Sequence, residues 1–172
     1  ALVLELSLYG TLLSLCTFTH SSFMLQSGLN LFKICLFRLM FGSGMVKVFS
    51  RDESWRKCEA MDYHFQTQPL PGYLAKIMHM QPAFMLKMQC FFATFIVELL
   101  IPILSTLPRI CSNGYIPIVT ALVYAKFQCA VMVGGNFGFF NFLSLCLGMA
   151  VLDDHSLHIG QQWMTKILNP YL

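Results

Sequence analysis

Two ionisable residues, Glu98 and Lys126, stand inside long apolar runs. A charge in a bilayer is costly, so each calls for a partner or a task. Glu98 precedes a short polar break by about ten residues and Lys126 follows it by about twelve, which places them at depths of roughly 15 and 18 Å. A short break makes the flanking helices antiparallel neighbours. The spacing therefore predicts an intramembrane ion pair between Glu98 and Lys126. Such a pair can relay a proton or an ion, but its commoner task is to fix the register of two helices.

Other polar residues offer weaker chemistry. Arg38 and Lys47 lie nine residues apart, hence at different depths. Either can pair with Glu5, and snorkelling to headgroups is the favoured reading of Lys47. His155 and His158 are three apart after Asp153-Asp154, a spacing that a helical metal site would use, although a solvated helix end accounts for it better. His64 and His79 carry no ligand spacing. Gln66 and Gln68 precede Pro69-Leu70-Pro71, and Asn136 and Asn141 bracket Gly138-Phe139-Phe140. Buried amides at these places are expected to hold irregular turns together. Trp55, Tyr63 and Tyr73 suit an interfacial aromatic belt and, with Arg38, are the candidate contacts to a partner.

The seven cysteines form no CxxC pair, and five lie in apolar runs, where a thiol behaves as a small hydrophobe. A Cys58–Cys111 bridge would have to join opposite faces of the membrane. The sequence shows no nucleophile beside a base, no glycine-rich phosphate loop and no internal repeat. The expectation is a protein that is not an enzyme, with no metal and no cofactor beyond a bound phospholipid.

These residues must be carried by elements that live in lipid. Of 172 residues, 56% are hydrophobic and 11% charged, whereas a soluble domain carries about 25% charged residues. Eleven Lys/Arg against eight Asp/Glu form no basic patch with aromatic interleaving, which excludes a nucleic-acid binder. The fold class expected is all-α, a polytopic transmembrane helical bundle of one membrane domain. About five segments are predicted, over 2–19, 29–49, 83–107, 115–133 and 137–152, each measured against the roughly 20 residues needed to cross a bilayer. Gly42-Ser43-Gly44 in the second can kink it or admit a neighbouring helix. A polar interfacial stretch spans 50–82, and an amphipathic tail spans 153–172. Arg51, Arg56, Lys57 and Lys76 place the 50–82 stretch and the N-terminus on the cytosolic side by the positive-inside rule.

Several runs carry a family resemblance. Phe37-Arg38-Leu39-Met40-Phe41-Gly42-Ser43-Gly44-Met45-Val46-Lys47 and Met61-Asp62-Tyr63-His64-Phe65-Gln66-Thr67-Gln68-Pro69-Leu70-Pro71 resemble the core of the lipase maturation factor family. So do Phe95-Ile96-Val97-Glu98-Leu99-Leu100-Ile101-Pro102 and Gly135-Asn136-Phe137-Gly138-Phe139-Phe140-Asn141-Phe142. The resemblance covers about residues 36–154. It implies a polytopic protein of the endoplasmic reticulum membrane that assists folding and assembly of secreted dimeric lipases, and it supplies no catalytic residue. Members of the family carry a large lumenal region after the core, whereas eighteen residues follow Asp154 here. The leading expectation is therefore a scaffold or accessory subunit packed against other membrane subunits and lipids, in the endoplasmic reticulum or the mitochondrial inner membrane. The alternatives are a fragment of a folding factor with a secreted lipase as partner, or a membrane enzyme of the distantly similar vitamin K-dependent carboxylase type.

Overall fold

The computed structural model describes residues 2–18, 22–68, 71–72, 74–106, 115–135 and 139–168. The chain folds into α1 (Leu2–Phe18), α2 (Ser22–Phe49), α3 (Glu53–Arg56), α4 (Ala60–Thr67), α5 (Ala75–His79), α6 (Ala83–Phe91), a π-helical stretch (Phe92–Leu100), α7 (Ile101–Thr106), α8 (Tyr115–Gly134), α9 (Phe139–Met149) and α10 (Asp154–Leu168). Among the described residues three helical rods are long and apolar enough to cross a bilayer, Gln26–Phe49, Ala83–Thr106 and Tyr115–Gly134, and there are two shorter apolar helices, Leu2–Leu15 and Phe139–Met149. The molecule is a helical membrane bundle.

Two helices differ in length from the sequence expectation. α2 begins at Ser22, so Gln26, Ser27 and Gly28 are helical and not a connecting loop. Gly28 permits this, because a Cβ there would meet Leu13 Cδ1 at 2.7 Å, and its absence lets α1 close against α2. α9 has eleven residues, about half of a span. Gly148 near its end lies against Tyr124, halfway along α8, and Trp163 of α10 lies 5.9 Å from Tyr115 at the start of α8. So α9 and α10 follow α8 in series along its length. Asp153 starts α10 as its cap, accepting from Ser156 N at 2.8 Å and Ser156 Oγ at 2.5 Å.

The middle rod changes from α to π bonding where Pro102 follows. Proline has no N–H for the carbonyl of Glu98 four residues back, and its ring crowds that carbonyl, so the wider π turn relieves the clash. The core joins Leu6 of α1, Leu36 and Met40 of α2, Val97 of the π stretch, Tyr124 of α8 and Leu147 of α9. In lipid such a core gains little from hydrophobicity, so close packing at small residues carries the association.

Between α2 and the middle rod, residues 50–82 fold as short interfacial helices. Asp52 caps α3, accepting from Ser54 N at 2.9 Å, and the Ser54 side chain, followed by that backbone N–H, holds its carboxyl below the usual range. α3 ends in a Schellman arrangement, with Glu59 N donating to Ser54 O at 2.8 Å and Cys58 taking the left-handed position at φ 56°. Pro71 pairs with Gly135, and Gly72 sits against Val133 O, where a Cβ would be 2.7 Å away. These contacts fasten the interfacial layer to the end of α8.

Candidate functional site

The last turn of α2 builds the polar centre of the bundle. A Cβ at Gly44 would stand 2.7 Å from Leu99 Cδ2 and 3.1 Å from Glu98 Cβ, so this glycine lets α2 touch the π stretch. At Gly42 nothing lies within 4 Å. Three residues after Gly44, on the same face of the helix, Lys47 reaches across and its Nζ meets Glu98 Oε1 at 2.5 Å. The Glu98 side chain is 5% exposed and that of Lys47 20%. The same ammonium stands 4.5 Å from the Trp55 ring centroid, a cation–π contact that covers its outer side.

This overturns the expected pairing of Glu98 with Lys126. Lys126 is exposed on α8, and Glu98 faces α2 instead. The expectation assumed an unbroken α-helix, whereas each π turn adds a residue and rotates the face by about 100°. A signal was present in the sequence: Gly44 followed three residues later by Lys47 is a close-approach site with a cation beside it. Arg38 is also occupied within the chain. Its Nη1 lies 2.5 Å from Glu5 Oε1, which also accepts from Tyr9 Oη at 2.7 Å.

Around the Lys47–Glu98 pair lies a cavity of about 270 Å³, whose wall includes Ser43, His64, Gln128, Asn141 and Ser144. Glu98 and Asn141 are each 4% exposed, and each keeps one polar atom, Oε2 and Nδ2, without a hydrogen-bond partner among the described residues. Burial, followed by the charge of Lys47, pushes the His64 imidazole below its usual pKa. A second cavity of about 420 Å³ adjoins the first and shares Met61, His64, Ala93, Phe127 and Val131 with it. Its wall is otherwise mostly apolar, with Phe65, Phe92 and Val123, and Lys126 stands at its edge.

The other expected residues fall around this centre. Gln68 Nε2 donates to Gly134 O at 2.8 Å and so ties the interfacial layer to α8, while Gln66 lies 2.5 Å from a ring nitrogen of His79. Asn141 lines the smaller cavity, and Asn136 and Tyr73 lie outside the described residues. Trp55 is half-buried beneath Lys47, and Tyr63 is 60% exposed. His158 meets Gln162 at 3.2 Å, and the side chain of His155 lies outside the described part. Among the described residues no three His, Cys, Asp or Glu side chains gather as metal ligands, and Cys35, Cys58, Cys90, Cys129 and Cys146 are free thiols. Cys111, the other half of the bridge weighed above, lies outside the described residues.

Residues 2–159 match the family model of the lipase maturation factor transmembrane domain. The chain is 38% identical over 124 residues to lipase maturation factor 2 of Mus musculus, covering 71% of this chain and 17% of that protein. It is 34% identical over 137 residues to lipase maturation factor 2 of Gallus gallus, covering 76% and 17%. Against lipase maturation factor 1 of Homo sapiens it is 32% identical over 126 residues, covering 73% and 21%. The chain thus spans about a fifth or less of the curated relatives it matches. No solved structure matches it.

Proposed function

The chain belongs to the lipase maturation factor family, and from that premise we propose that it is the membrane core of a factor that matures secreted lipases in the endoplasmic reticulum. The observation that carries this reading is the family match over residues 2–159, which includes every element of the polar centre. The relatives are named for lipase maturation, and the endoplasmic reticulum is where secreted proteins fold. The role is that of a non-enzymatic holder: the ion pair and the glycine contacts fix the bundle, and the bundle fixes the interfacial layer of residues 50–82 through Gln68, Pro71 and Gly72. No observation favours the mitochondrial inner membrane.

Disruption of the gene in cells that secrete a dimeric lipase tests the reading. The expected result is lipase protein retained in the cell and secreted activity reduced at least tenfold, restored by the intact gene. Undiminished secreted activity would refute it. A native gel of the source membrane, probed for the chain, tests the accessory-subunit alternative. A fixed heteromeric band that persists without any lipase would support that alternative instead.

A further inference from the structure

The two adjoining cavities share a division of chemistry. The smaller holds the Lys47–Glu98 pair and two buried orphan atoms, an acceptor on Glu98 and a donor on Asn141. The larger is a mostly apolar chamber of about 420 Å³, within the range of ordinary ligand sites. The smaller is walled by α2, Trp55, the π stretch, α8 and α9, while the larger runs along α8 between Val123 and Gly135. A buried polar atom without a partner is destabilising, and two such atoms in one wall mark a place where a polar group belongs.

We propose that these cavities form one site for a single-chain amphiphile with an uncharged head, of the monoacylglycerol class. A hydroxyl of the head donates to Glu98 Oε2, its ester carbonyl accepts from Asn141 Nδ2, and the acyl chain lies against Phe65, Phe92 and Phe127. The head is uncharged because the site is already neutral. A phosphate drawn to Lys47 would stand beside the Glu98 carboxylate, and a choline drawn to Glu98 would stand beside Lys47, whose outer side Trp55 already covers. The competing cation is Lys126 at the edge of the larger cavity, and an anionic head would seat there. The assignment is independent of the proposed role in lipase maturation.

The experiment is photolabelling of the purified chain in nanodiscs with a monoacylglycerol that carries a diazirine in its acyl chain. Labelled peptides should map to residues 123–135 of α8. Unlabelled monoacylglycerol should compete at least tenfold better than lysophosphatidate or lysophosphatidylcholine. Ala130→Trp, at an exposed wall residue, puts an indole into the larger chamber and should reduce labelling at least tenfold. Val119→Trp, on the same helix outside the cavity, should leave labelling unchanged. Asn141→Leu removes the donor and should weaken monoacylglycerol without weakening an alkane-chain probe. Equal labelling of Ala130→Trp and wild type, or labelling spread over the lipid-facing side of α8, would mean surface lipid and overturn the proposal. Stronger competition by lysophosphatidate would place the head at Lys126 and overturn it too.

Discussion

Breaking the Lys47–Glu98 pair from one side should be far more damaging than removing it whole. At an effective dielectric of about 20, two unit charges 2.5 Å apart attract by about 7 kcal/mol, most of which offsets taking both out of water. Glu98→Leu leaves Lys47 as a largely buried cation without its counter-ion, and Lys47→Met leaves the Glu98 carboxylate with 5% exposure. Each single variant should lose about 3–5 kcal/mol, whereas the double variant should lose far less than their sum. At 2–4 °C per kcal/mol for a chain of this length, each single loss is roughly 6–20 °C in melting temperature. Thermal unfolding in nanodiscs, followed by tryptophan emission, measures all three, and Trp55 under the ammonium reports on the site directly. Lys126→Met combined with Glu98→Leu is the control and should be additive. Additivity of the Lys47 and Glu98 variants, or coupling of Glu98 to Lys126 in their place, would refute the assignment.

Three further outcomes follow from the same geometry. Gly42→Ala meets open space and should stabilise by about 0.5–1 kcal/mol through helix propensity, while Gly44→Ala, pressed on Leu99 and Glu98, should lose about 1–3 kcal/mol on the same melting assay. Cys58→Gly should raise stability by about 1 kcal/mol, because glycine takes the left-handed φ of 56° without a Cβ clash, and a denaturant titration reads it. His64 has a folded pKa below its ordinary 6.5, so its contribution is present above about 6.5 and is lost as pH falls through the depressed value. Stability measured from pH 7.5 down to 5 should therefore fall, and His64→Gln should flatten that part of the curve.

Composition and run length by themselves determined that this chain lives in a membrane as a helical bundle, because 11% charge cannot clothe a water-facing surface and apolar runs near 20 residues match the bilayer. The long quoted runs determined the family. Gly44 and Lys47 were both legible as letters, and so was the oddity of Glu98 in an apolar run with Pro102 four residues on. What the sequence did not determine was which cation meets Glu98. That depends on the rotation of a helix face, and the π turn before Pro102 changes the rotation in a way that a period of 3.6 does not contain. For Arg38 the sequence offered both Glu5 and a partner as contacts, and the choice of Glu5, 33 residues away, depends on how α1 closes against α2 at Gly28. The two cavities were illegible for a plainer reason. Their walls come from α2 through α6, the π stretch, α8 and α9, and an empty volume is a property of how such elements pack and of no single residue.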